Sequence, residues 1–164
     1  MPGRHLKQLS DDAYIWIFGI SPSLDPAGEV KMLQRIDAFL DKWAAHGAPI
    51  ESARDLIEST FLVIAAEKTS ERSGCSIDRL FGTLKQLESE LGVAILDANR
   101  VFFRHGDGHP DSMSRSEFRD KADAHTIVFD TTVETLRDIR TGTWERRAED
   151  SWHGELLKKK PTAV

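Results

Sequence analysis

The chain has 164 residues, a formal net charge of -5, and a composition 40% hydrophobic and 30% charged, which is ordinary for one globular domain. Six prolines and 11 glycines exclude a collagen-like or low-complexity chain, and one cysteine excludes an intrachain disulfide or a cysteine-rich zinc module. The longest apolar stretches, residues 14–20 and 61–66, are about a third of a membrane span.

Residues 1–10 are polar, so no signal peptide is expected, and a single free cysteine fits a reducing cytoplasm. Lys158, Lys159 and Lys160 hold three of the positive charges, which leaves the body more acidic still. An acidic body repels phosphate backbones and anionic lipid. The expected partner is a small molecule or another protein, not a nucleic acid or a membrane.

In chain order, residues 14–20 read as a strand, nearly all apolar and therefore covered on both faces. A helix follows over about 26–45. Asp25 is its N-cap, Pro26 sits at its first position, and Leu33, Ile36, Phe39, Leu40 and Trp43 share a face. Gly47 is expected to stop this helix, which leaves His46 at its C-terminus. Residues 60–66 form a strand, with 53–57 as a partner or as part of one bent strand around Glu58 and Ser59. Residues 67–74 read as a polar loop.

The second long helix has Ser76 as its expected N-cap and Asp78 in its first turn. Ile77, Leu80, Phe81, Leu84, Leu87 and Leu91 form its apolar stripe, and Gly92 ends it. Residues 100–104 are a strand, and 106–110 a flexible turn. Ser114 and Glu117 have capping-box spacing at the start of a short helix. Residues 126–129 read as a strand and 133–140 as a short helix. The expected fold is α/β or α+β, a single layered domain with three to five strands and two long amphipathic helices. A parallel crossover between the first two strands is open. Residues 1–104 would form the core, 105–157 a C-terminal segment packed on it, and 158–164 a mobile tail.

The most suggestive local string is Ser73-Gly74-Cys75-Ser76-Ile77-Asp78. It puts the only cysteine on a glycine turn before a helix, where free N–H groups and the dipole stabilise a thiolate or bind an anion. Cys75 is thus a candidate nucleophile, with Gly74, Ser76 and Asp78 beside it as candidate ligand contacts. The competing reading makes Cys75 a small buried residue and Ser76 only a cap. His46 is one candidate base, or simply a capping histidine. Trp152 and His153 close a second candidate site, with His153 as base and Trp152 against a ligand; the competing role is to pin the C-terminal segment.

His105, Asp107 and His109 lie close together on a glycine turn, which reads as a solvated turn rather than a metal site, and no HExxH is present. No metal and no cofactor is expected. The phosphate-loop pattern GxxxxGK[ST] is absent, as are GxGxxG after a strand and GxSxG.

Five strings, Tyr14-Ile15-Trp16-Ile17, Trp43-Ala44-Ala45-His46-Gly47, residues 73–78, Thr126-Ile127-Val128-Phe129-Asp130 and Asp150-Ser151-Trp152-His153, together resemble a small bacterial protein family often labelled "ABC transporter ATPase", and the resemblance covers about residues 14–157. The resemblance implies no activity, substrate or catalytic residue. The chain lacks both the phosphate loop and the Leu-Ser-Gly-Gly signature that such an ATPase needs. The expected function is a cytoplasmic binding or interaction protein without a secure catalytic motif. The alternative is a small cysteine-dependent enzyme for acyl or thiol transfer or hydrolysis, using Cys75.

Overall fold

The structure, a computed structural model, describes residues 5–68 and 73–158. Strand β1, Tyr14–Gly19, sends alternate side chains into different cores: Trp16 and Phe18 into one, Ile15 and Ile17 into another. Both of its faces are covered, as its composition predicts.

Helix α1, Pro26–Lys42, opens on Asp25, whose carboxylate accepts the Gly28 N–H at 2.7 Å. Its buried stripe is Met32, Ile36 and Leu40; Met32 takes the place in the core that the sequence reading gave to Leu33, which is half-buried. The helix ends at Lys42 rather than at Ala45. Residues Ala44–Ala45 (β2) pair antiparallel with Ala48–Pro49 (β3) across His46 and Gly47, both at positive φ (52° and 79°). That is the backbone a two-residue hairpin needs. His46 is therefore an exposed hairpin-tip residue, not a helix cap.

Strands β4, Ser52–Ile57, and β5, Phe61–Ala66, form a hairpin. Glu58 and Ser59 both have positive φ, at 51° and 55°, unusual for residues other than glycine. Long-range bonds hold them there. Arg104 binds the Glu58 carboxylate, Ser59 Oγ donates to Glu29, and Leu24 N–H donates to the Ser59 carbonyl.

Helix α2, Gly74–Leu91, is capped by Ser73 rather than Ser76. Ser73 Oγ accepts the Ser76 N–H at 3.1 Å, and Ser76 Oγ accepts the Ser73 N–H at 3.0 Å. Leu80, Leu84 and Leu87 are fully buried, Ile77 and Leu91 are half-buried, and Phe81 is exposed. Gly92 closes the helix in the left-handed conformation, with its N–H on the Glu88 carbonyl.

The second half holds β6 (Arg100–Arg104), β7 (Pro110–Ser114), α3 (Arg115–Lys121), β8 (Ile127–Phe129), α4 (Leu136–Thr141), β9 (Glu145–Arg147) and α5 (Gly154–Lys158). Ser114 caps α3 through the Glu117 N–H, as its spacing predicts. Lys158, expected to open a tail, lies in α5, and residues 159–164 of the expected tail lie outside the described residues.

Among the described residues all strand pairings are antiparallel, and the first strand pairs antiparallel with β5 in place of the parallel crossover left open. Besides the two-stranded β2-β3 ribbon, a three-stranded sheet has the order β1-β5-β4 and a four-stranded sheet the order β7-β6-β8-β9. Three buried clusters set the layering. The first joins Met32, Ile36, Leu40, Leu80 and Leu84 to Phe18, Leu62 and Ile64. The second joins Ile15, Phe61 and Val63 to Phe102, Phe129 and Trp144. The third puts Phe118 and Leu156 under Val101, Phe103 and Val128. The result is a mixed α and β domain in four layers: α1 and α2, the three-stranded sheet, the four-stranded sheet, then α3 and α5.

Nine strands occur among the described residues where three to five were expected: β8 falls on the expected strand at 126–129, but β2, β3 and β9 have only two or three residues each and carry no readable period, and β7, Pro-Asp-Ser-Met-Ser, is too polar to show one. The expected boundary after Arg104 falls inside the β6–β7 hairpin, in which Arg104 pairs with Pro110.

Candidate functional site

Where the two sheets meet α2 and α3, a cleft of about 320 Å³ opens. The end of β1 supplies Phe18 and Gly19, β6 supplies Arg100 and Phe102, and Phe81, Arg115, Thr131, Thr132 and Trp152 complete the wall. A second hollow of about 460 Å³ continues it along β1, sharing Ile17, Phe18, Phe81, Thr131 and Thr132. A volume above about 300 Å³ suits a small organic molecule.

Gly19 is required at the cleft's floor. A Cβ there would stand 2.1 Å from Cε2 of Phe102, whose ring presses on this end of β1. Phe102 cannot easily swing away, since its ring centroid lies 5.3 Å from that of Phe61 in the buried second core.

Two guanidinium groups line the cleft, and neither has a carboxylate partner among the described residues. Arg100 donates to Ser112, through Nη2 to Oγ and to the carbonyl, both at 3.0 Å. Arg115 lies over the Trp152 ring, 5.3 Å from its centroid. Asp97 is the one acid in the wall, and its carboxylate accepts the Asn99 N–H. The cleft therefore carries a local positive charge on a protein whose formal net charge is -5.

Behind Trp152, His153 is 1% exposed, and the two rings stack at 3.9 Å. Burial lowers the His153 pKa from its ordinary 6.5 to about 4; Asp130 opposes that shift, and Arg115 and Arg146 add to it. The ring is thus neutral near pH 7. Its Nδ1 is 2.8 Å from Ser151 Oγ. Burial pushes the Asp130 carboxyl up, yet the hydroxyl and N–H of Thr132 and the charge of Arg146 outweigh it and hold the group below the ordinary value. Asp130 thereby fixes the Thr131–Thr132 turn at the cleft's rim.

Of the residues singled out in the sequence, Trp152 alone lines this cleft. Its Nε1 is buried, with no hydrogen-bond partner among the described residues. His153 supports Trp152 from behind and packs near Phe118, with ring centroids 5.9 Å apart. Cys75 and Gly74 are exposed on the first turn of α2, so Cys75 is not the buried residue of the competing reading; Asp78 is exposed too, but with Ser73 as the cap it lies past the first turn and not in it. Ser76 is buried, and its hydroxyl is spent on the cap, donating to the Ser73 carbonyl at 2.7 Å. The Ser76 carbonyl accepts Trp43 Nε1–H at 2.8 Å, which ties α1 to α2. No hydrogen bond joins Cys75 to His46 or His153 among the described residues, so neither pairing forms a nucleophile–base dyad.

Sequence reading missed Arg100, Arg115, Thr131 and Thr132. One signal pointed to Arg115: it occupies the first helical position after Ser114, where the helix dipole disfavours a cation. A cation at that position is better explained by something it faces than by helix stability. The cleft holds no group of three metal-ligating side chains; the one such group among the described residues is His105, His109 and Asp111, on the β6–β7 hairpin. Compared with known proteins, the chain matches no family model, no curated protein and no solved structure.

Proposed function

We propose that this chain is a cytoplasmic binding protein whose inter-sheet cleft takes a small organic anion, a carboxylate or a phosphate ester carried on a flat apolar body. The observation that carries the reading is the pair Arg100 and Arg115, neither ion-paired to a carboxylate among the described residues, in a wall that also presents Phe18, Phe81, Phe102 and Trp152 and a single acid, Asp97. Guanidinium groups match the planar oxygens of carboxylates and phosphates, and aromatic faces cover an apolar body. The resemblance to the small bacterial family belongs to the same proposal and brings no activity with it.

Benzoate and phenyl phosphate are suitable probes in a thermal-shift assay. Ligand at 100 times its Kd adds about 2.7 kcal/mol of stability. For a domain of this size that raises Tm by about 5–10 °C. Arg100→Gln and Arg115→Gln should each abolish most of the rise. No rise with either probe at millimolar concentration, or one unchanged in both variants, overturns the reading.

A cysteine enzyme is the second reading, and it rests on the exposure of Cys75 in the first turn of α2. It has no partnered base, so it ranks below the binding protein.

A further inference from the structure

The turn between β6 and β7 reads in sequence as a solvated loop, but its backbone is tightly held. His105 N–H donates to the His109 carbonyl at 2.9 Å, and Gly108 N–H donates to the His105 carbonyl at 2.9 Å. Arg104, at the base of the turn, is clamped by Glu145 at 2.8 Å and Glu58 at 2.9 Å, and it also donates to the Gly108 carbonyl. Such a loop presents its side chains in fixed positions.

Three of those side chains converge. The imidazoles of His105 and His109 stack with centroids 4.2 Å apart, and His105 Nε2 is 2.8 Å from Asp111 Oδ2. One ligand atom from each of His105, His109 and Asp111 lies within 4.8 Å of the others. These two atoms now share a hydrogen bond, and parting them to about 3.3 Å makes them neighbouring ligands of a tetrahedral ion bound at about 2.0–2.1 Å. Asp107 completes the arrangement. Its carboxylate contacts His109 Nδ1, leaving Nε2 for a metal, and a carboxylate in this position orients a ligating histidine and raises its basicity. His105 also borders a hollow of about 550 Å³, which gives an ion access and room for water at its remaining positions.

We propose that His105, His109 and Asp111 form a site for a borderline divalent ion, Zn²⁺ in the first instance, with Asp107 as the positioning carboxylate. Two imidazoles and one carboxylate match the zinc donor set, and three protein ligands leave at least one position open. The site is separate from the inter-sheet cleft and does not depend on the function proposed for it.

The test uses the full chain freed of metal by EDTA and titrated with zinc sulfate in a calorimeter. One ion per chain should bind with micromolar affinity, and Co²⁺ in its place should give a visible absorption band characteristic of low coordination number. His105→Gln and His109→Gln should each abolish saturable binding. Asp107→Asn, which leaves all three ligands in place, should weaken binding about 10–100-fold. Matching thermal melts in EDTA establish that the variants are folded. No saturable binding to the wild-type chain, or binding that persists unchanged in both histidine variants, overturns the proposal.

Discussion

Lowering the pH should destabilise this protein through a single buried ring. His153 is 1% exposed and has its pKa lowered to about 4, against 6.5 when unperturbed. Between those values the unfolded chain binds a proton that the folded chain refuses. Stability from this group is thus fully present above about pH 6.5 and is lost as pH falls through the window towards 4. The two values give a loss of about 2 kcal/mol between pH 7.5 and pH 5, roughly a thirtyfold change in the folding constant. Asp130 does not confound this range, because a carboxyl held below its ordinary value protonates only at lower pH. Urea unfolding followed by tryptophan fluorescence at the two pH values measures the change. His153→Gln, which can still bond to Ser151, should reduce the difference between the two pH values by about 2 kcal/mol. Equal losses in wild type and variant would refute the argument, since the burial of a neutral ring would then have no thermodynamic consequence.

Phe61→Ala should cost about 3–5 kcal/mol, because this fully buried ring touches Phe102, Phe129 and Trp144 and its loss opens a cavity between the sheets. Val30→Ala, at a side chain 57% exposed, should stay within about 0.5 kcal/mol, and denaturation midpoints compare the two. Gly19→Ala should cost about 1–3 kcal/mol by overpacking against Phe102. Phe102→Leu in the same chain should recover part of that cost, and a double-mutant cycle showing no coupling would mean the close approach is not what requires glycine.

Most elements legible in the sequence are long enough to show a period; the three-residue β8 was legible as a short apolar run, whereas the five-residue β7 is too polar to show either. Leu80, Leu84 and Leu87 marked α2 correctly, yet its cap moved by three residues because Ser73 and Ser76 are both chemically fit to cap and each bonds the other's N–H. Trp43 has the spacing of a helical residue, but its place is decided by a bond to the carbonyl of Ser76 in another helix. His46-Gly47 reads equally well as a helix stop or a hairpin turn, and pairing with Ala48 and Pro49 selects the turn. The stacking of the two sheets was hidden because it depends on Phe61 meeting Phe129 and Trp144, contacts between residues far apart in the chain. For the same reason Trp152 was legible as a candidate and Arg100 was not: an aromatic ring beside a histidine draws notice locally, whereas an unpaired arginine is recognised only once every carboxylate has been placed.

The sheet-to-sheet core makes each half of the chain incomplete without the other. The face of β5 that carries Phe61 and Val63 is covered by side chains from beyond residue 100, so a fragment ending at Arg104 would expose an aromatic surface to water. Unfolding should accordingly be a single cooperative event, in which β4 and β8 lose protection from hydrogen exchange together. The cleft draws its wall from both sheets, so any molecule held there also ties one sheet to the other. Occupancy would then slow exchange across the whole domain, including amides far from the ligand.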